Sequence, residues 1–375
     1  MKRKTGFICD ESYFWHQTGN GALFLPAGGW VEADVHSENP ATKRRVINLL
    51  ERSGFIRELE RLAPRMATVE EIAAVHDEAY IKRVERLSQT TGDAGEMALV
   101  GLGSYEIACL SAGGGLCAVD AVLQGEVDNA YVLNRPPGHH AEKDRGMGFC
   151  LFNNIAIAAQ YAKQAYGLKR IAIVDWDVHH GNGTESMFYD DPDVLFVSLH
   201  QEYLYPPMRG NPHDTGAGRG TGYTINIPLP AGTADAGYLE AIRTIAVPVL
   251  RQFQPELILI SAGQDASLFD PLGRMMVTAE GYSRMAEELL AVADDCCQGR
   301  IIACHEGGYS AAYVPFCTLR IIEALSGAKS GVDDPFAPAL RQLPTDVVTP
   351  DQQSYLEKAR EQHAKHWPVL HENGG

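Results

Sequence analysis

Six short apolar runs punctuate the chain, at 130–134, 170–175, 194–198, 224–228, 256–261 and 300–304. They are rich in Val and Ile and lack clean polar alternation, the pattern of parallel strands covered on both faces. Between them lie stretches with apolar residues at three- and four-residue spacing, at 154–166, 236–251, 279–297 and 311–325. Each reads as a helix that buries one face. Such strand–helix alternation predicts an α/β fold on an open, doubly wound sheet. The first 125 residues read as mostly helical, with Tyr13, Trp15 and Trp30 in a loop-rich segment. Pro335, Pro338, Pro344 and Pro350 mark a looser region before a last amphipathic helix near 352–363. With no repeat, linker or break in the middle, the expected organisation is a single domain over 1–375 with a helical tail at about 350–366.

The polar residues gather where the runs end. Arg135-Pro-Pro-Gly-His-His follows the first, Asp175-Trp-Asp-Val-His-His-Gly-Asn-Gly closes the second, and Ser198-Leu-His ends the third. Gly263-Gln-Asp follows the fifth and His305-Glu-Gly-Gly-Tyr the sixth. In open α/β sheets the crevice beyond the carboxyl ends of the strands is where ligands bind, so five such loops predict one site.

Composition narrows the partners. Lys plus Arg number 32 against 48 Asp plus Glu, a formal charge of −16, which argues against nucleic acid or an anionic membrane as the main partner. Eight cysteines include no CxxC pair, so zinc-ribbon and thioredoxin-type readings fall away, and reduced thiols in a cytoplasmic protein are expected. Lys2-Arg3-Lys4 is not followed by a sustained apolar segment, and no run is expected to be long enough to span a bilayer. There is neither a P-loop nor a GxSxG elbow. Gly216-Ala-Gly-Arg-Gly-Thr-Gly precedes a strand run, the wrong context for a dinucleotide-binding turn.

Asp175, Asp177 and His179 share parity, so an extended segment points all three the same way. Asp177 and His179 then suit one metal ion, with Asp175 supporting from behind and Asp265, from another strand end, as the candidate third ligand. Such a donor set fits Zn²⁺ with a fourth position open. Taken alone, an Asp-x-His loop is more often a surface hydrogen-bonding cluster than a metal site. His139 and His140, presented by a rigid Pro-Pro-Gly turn, favour acid–base work near neutral pH. Tyr309 follows Gly307-Gly308 and reads either as a group that swings over a reacting centre or as a core tyrosine.

Taken together, RPPGHH, GFCLFNN at 148–154, DWDVHHGNG at 175–183, SLH at 198–200, SAGQDASLFDPLG at 261–273 and EGGYS at 306–310 resemble the motifs of the zinc-dependent histone deacetylase family. Order and spacing are similar over about 35–330, and the likeness is greatest to class II enzymes and bacterial deacetylase-like amidohydrolases. The resemblance implies an arginase/deacetylase-like α/β fold, a mainly parallel eight-stranded sheet with helices on both faces. It implies Asp177, His179 and Asp265 as zinc ligands, His140 as general base and then acid, His139 as its electrostatic partner, and Tyr309 as donor to the oxyanion. Asp175 and Asn182 would orient the two imidazoles; Asn182 stands where class I enzymes carry Asp, which should make His140 less basic. Phe149 and Tyr205 would wall a narrow acyl-lysine tunnel beside Gly148, with Leu272 and Asp93 near its rim. Structural potassium would sit at Asp175, Asp177, His179, Ser198 and Leu199, and a second at Phe188, Asp191, Val194 and Tyr223.

The implied activity is removal of short acyl groups from acyl-lysine-like amines, on an acylated small molecule or peptide, by a homodimer or homotetramer. Gln264 replaces a usual Phe and His305 stands where apolar or amide residues are commoner. Leu272 occupies a position where the polyamine-specific branch can carry Glu, and an apolar residue there offers no anionic partner to an internal ammonium. Acetylpolyamine hydrolysis, a zinc module that binds acylated ligands without turnover, and a binuclear manganese hydrolase of arginase type are the competing readings.

Overall fold

The computed structural model of the protein describes residues 2–371. Its centre is an eight-stranded sheet of β1 (Thr5–Ile8), β2 (Glu60–Leu62), β3 (Asn129–Val132), β4 (Ile171–Asp175), β5 (Val194–Gln201), β6 (Thr224–Leu229), β7 (Leu257–Ala262) and β8 (Ile301–His305). The strand order is β6-β5-β4-β7-β8-β3-β1-β2, and every ladder in it is parallel. All six runs picked out by the sequence are strands of this sheet, with ends shifted by up to three residues. The two it does not single out are β1 and β2, at the far edge, where Glu60 and Arg61 are exposed.

Alternation within each strand explains the two layers of helices. Ile171 and Ile173 face one apolar cluster and Ala172 and Val174 the other, as the two-residue period of a strand requires. The first cluster is covered by α1 (Ser104–Leu123) and α2 (Asn154–Tyr166). The second lies under α3 (Ala279–Cys297), α4 (Val314–Ser326) and α5 (Pro350–Ala364). The helix expected at 236–251 is two short helices, Asp235–Ala241 and Val247–Phe253, joined by a π-helical turn. The helix expected from 311 begins at Val314, with Pro315 in its first turn, where a missing N–H costs nothing.

One expectation is corrected. Helix α1 has 20 residues and a mean hydropathy of 1.5, enough by length and composition to cross a membrane. Of its most apolar 18-residue stretch, 72% is nevertheless buried inside the protein. A Cβ on Gly113, in its middle, would lie 1.7 Å from the carbonyl oxygen of Arg65, so only glycine lets this helix approach its neighbour so closely. Long apolar runs arise in core helices as well as in membrane spans.

Candidate active site

Parity carries past the end of β4. Trp176 and Val178 continue into the apolar core, so Asp175, Asp177 and His179 turn the other way. His179 Nδ1 lies 3.1 Å from Asp177 Oδ1 and 3.1 Å from Asp265 Oδ2, and the three residues form a buried group whose donor atoms all lie within 4.8 Å of one another. Bonds of about 2.0–2.1 Å to a tetrahedral Zn²⁺ put neighbouring donors about 3.3 Å apart, so two carboxylates and one imidazole at this spacing fit the ion. The glycines that follow the strands make room for them. A Cβ on Gly263 would sit 2.1 Å from Asp177 Oδ2, and one on Gly307 2.0 Å from Asp265 Oδ2. Backbone N–H groups fix the carboxylates: Gly307 N donates to Asp177 Oδ2 at 2.8 Å and Val178 N to Asp265 Oδ1 at 2.8 Å.

The paired histidines stand beside this group, their ring centroids 4.0 Å apart. His139 Nδ1 bonds Asp175 Oδ2 at 2.9 Å, and its Nε2 lies 3.7 Å from Asp177 Oδ1. Burial opposes a charge on His139, but Asp177 and Asp175 outweigh it and raise its pKa well above the imidazole value. His140 goes the other way: burial, then the neighbouring His139 and His179, hold its pKa well below that value. His140 Nδ1 lies 2.8 Å from Asn182 Oδ1, while the Asn182 amide nitrogen donates to Glu142 Oε1 at 2.9 Å. That pattern makes His140 Nδ1 the N–H and leaves Nε2 as the lone pair.

A cavity of about 170 Å³ opens onto these rings, lined by Phe24, Met97, His140, Gly148, Phe149, His179, Leu204, Tyr205, Leu272 and Tyr309. It thus gathers Gly148, Phe149, Tyr205, Leu272 and Tyr309 with the catalytic candidates. Phe149 meets Tyr309 edge-on at 5.7 Å, and Tyr205 meets His140 edge-on at 5.0 Å. Asp270 accepts from Tyr309 N at 2.7 Å and from Leu272 N at 2.9 Å, which ties the tyrosine loop to the Asp-Pro turn. Burial raises the Tyr309 pKa well above the phenol value, so it is a neutral donor. Glu306, in the same loop, has its pKa pushed up to about 7 by burial.

Sequence reasoning missed Phe24, Met97 and Leu204, which stand outside the motifs. It also missed the anchoring part played by Asp270, whose signal was the Asp-Pro pair. Asp93 does not line the cavity. It is exposed, accepts from Gly95 N at 2.9 Å and Ala98 N at 3.0 Å, and so shapes the loop that carries Met97. The residues of the first potassium group adjoin one another, since Asp175 pairs with Ser198 in the sheet and its carboxylate accepts from Asp177 N at 3.0 Å. Those of the second lie around a turn in which Asp191 N donates to Phe188 O at 3.1 Å. Lys163 Nζ is ion-paired with Asp191 there.

A parallel sheet whose strand ends hold a buried Asp–His–Asp group beside paired histidines defines an open-sheet α/β protein with a candidate metal centre at its strand ends. A model of the histone deacetylase domain matches residues 36–325. The histone deacetylase-like amidohydrolase of Pseudomonas aeruginosa is 46% identical over 339 residues, 89% of each chain. Human polyamine deacetylase HDAC10 is 36% identical over 91% of this chain and 51% of its own length. The crystal structure of the HDA15 HD domain superimposes with a TM-score of 0.85 at 32% identity, covering 98% of this chain and 96% of that one. The chain belongs to the histone deacetylase family, whose members act on acetylated amines, and it is a deacetylase-type amidohydrolase.

Proposed function

We propose that this protein is a zinc-dependent amidohydrolase that removes short acyl groups from acyl-lysine-like amines. The observation that carries the reading is the convergence of the Asp177–His179–Asp265 donors, the neutral His140 and the Tyr309 hydroxyl on one narrow cavity. Zinc held by those three donors supplies Lewis acidity to the amide carbonyl and to the attacking water. Phe149 and Tyr205 hold the aliphatic chain of the substrate and exclude solvent around it. His140 Nε2 takes a proton from the attacking water as it adds to the carbonyl carbon. Tyr309 donates its O–H to the oxygen that gains negative charge. His140 then returns the proton to the amine nitrogen as the C–N bond breaks, leaving a carboxylate and a free amine. His139, held by Asp175, keeps a positive charge beside this exchange. Potassium at the paired strands around Asp175 and Ser198, and at the turn around Asp191, belongs to the same proposal, as support for the strand ends.

Similarity to a polyamine deacetylase favours acetylpolyamines as the second reading. Leu272 lines the cavity and brings no carboxylate to it, which supports acyl-lysine instead. The deciding experiment removes metal with a chelator, restores it with zinc, and assays acetyl-lysine peptides beside acetylated polyamines. Complete loss and recovery of hydrolysis, with a higher kcat/KM on the peptides, is expected. Full activity without metal, or a strong preference for polyamines, overturns the zinc or the substrate assignment respectively.

A further inference from the structure

We infer a second, inhibitory metal site for a thiophilic divalent cation, formed by His139, Cys150 and Glu306 beneath the paired histidines. It shares no residue with the Asp177–His179–Asp265 group. Its three side chains are almost fully buried, at 2%, 0% and 0% exposure, and their donor atoms lie within 4.8 Å of one another. Each arrives with capacity to spare. Glu306 Oε2 accepts from Gly138 N at 2.6 Å and His139 N at 3.1 Å, whereas Oε1 is buried with no partner. A buried carboxylate oxygen without a partner is unfavourable and rare, and it marks a place where something else binds. The Cys150 thiol makes a 3.4 Å contact with Gly148 O. The bond from His139 Nδ1 to Asp175 leaves Nε2 as the ring nitrogen that can coordinate once its proton is displaced by the metal.

A thiolate, an imidazole and a carboxylate form a donor set that suits Zn²⁺ and softer ions of the same charge. Gly148 and Phe149, the residues just before Cys150, line the catalytic cavity, so the thiol follows directly on its wall in sequence. Binding releases the thiol proton, and any proton on His139 Nε2, because only the deprotonated groups coordinate. An ion on His139 Nε2, the atom 3.7 Å from Asp177 Oδ1, competes with the catalytic group for that carboxylate and crowds the His140 ring, whose centroid is 4.0 Å from that of His139, and turnover falls. That inhibitory effect rests on the catalytic reading above; the binding itself does not.

The test loads the protein with one equivalent of zinc and then titrates it with Cd²⁺, following bound metal, turnover and the ultraviolet charge-transfer band of a cadmium thiolate. The catalytic donors contain no sulfur, so that band reports a cysteine. The expected result is a second bound equivalent, the band, and at least about a ten-fold fall in turnover. In Cys150→Ser and Cys150→Ala the band is lost and the inhibition midpoint rises at least about ten-fold, with turnover at low metal retained. Two variants of different polarity guard against a folding defect in either. A single bound equivalent in the parent protein, or an unchanged band and midpoint in both variants, overturns the site. Thiol-linked binding in a protein that hydrolyses no amide would leave the site standing and sink the amidohydrolase reading instead.

Discussion

Tyr309 and Asn182 show how much of the chemistry rests on single atoms. The Tyr309 ring is braced by Phe149 and its backbone by Asp270, so deleting its hydroxyl removes a donor without moving the loop. Tyr309→Phe is expected to lower kcat by about 10²–10³-fold, the usual cost of one oxyanion donor, with zinc content and KM little changed. Turnover near the parent value would show that the hydroxyl does not face the reacting carbonyl. Asn182 acts on His140 through an uncharged acceptor at 2.8 Å. Asn182→Asp puts a carboxylate there, which favours the protonated ring and raises the His140 pKa. Because the base works in its neutral form, the acid limb of the kcat–pH profile should move to higher pH by about one unit. A limb that stays in place, measured with saturating substrate, would remove Asn182 from control of the base.

The cavity wall depends on a loop with little freedom. Gly148 has φ +48°, and a Cβ there would stand 2.4 Å from His140 Cδ2 and 2.9 Å from Tyr205 Cε1. Gly148→Ala therefore adds backbone strain and pushes apart the base and the tunnel wall. A loss of activity of at least about a hundred-fold is expected, with thermal unfolding shifted only slightly, as for a local defect. Normal kinetics in that variant would show that the loop can yield. Elements of this kind also divide what the sequence made legible from what it did not. The central strands were readable because burial on both faces leaves mostly Val, Ile, Leu and Ala, as in residues 171–174. Strand β1 holds Thr5 and Gly6 behind three basic residues, and β2 is an edge of three residues, too short and too polar for periodicity to register. The site's motif residues follow strand ends and so announced themselves. Phe24 and Met97 did not, because their place at the cavity is set by packing between loops distant in sequence.

At the scale of the whole molecule, several titratable groups are buried, some far from the site and Asp270 beside it, and they pull stability in opposite directions as pH falls. His76 and His363 each have pKa values lowered to about 4 by burial, and His16 to about 3 by burial and then Arg135. Bonding explains why they stay neutral. His76 Nε2 accepts from Asn153 N at 2.9 Å, and a proton on that atom would set two N–H groups face to face. His363 Nε2 reaches Asn226 O at 3.1 Å, so a second proton would go to Nδ1, which is buried without a partner. In the unfolded chain the same rings titrate near 6.5. Their contribution is complete above that pH and is lost as pH falls toward about 4, by about 1.4 kcal/mol per pH unit for each ring. Buried carboxyls act in the opposite sense: burial raises Asp270 to about 8, so the fold holds a proton that the unfolded chain releases, and lowering the pH through that range stabilises it. The net curve is a difference, and single variants are what isolate each part. Urea denaturation of His76→Gln, which keeps an acceptor for Asn153 N, should show a pH dependence shallower than the parent's by about 1.4 kcal/mol per unit between pH 6.5 and 4. His363→Gln should do the same at the edge of the sheet where α5 packs on β6. Slopes identical to the parent's would mean that these rings are already charged in the fold, and that the interior of the sheet tolerates cations its hydrogen bonds do not provide for.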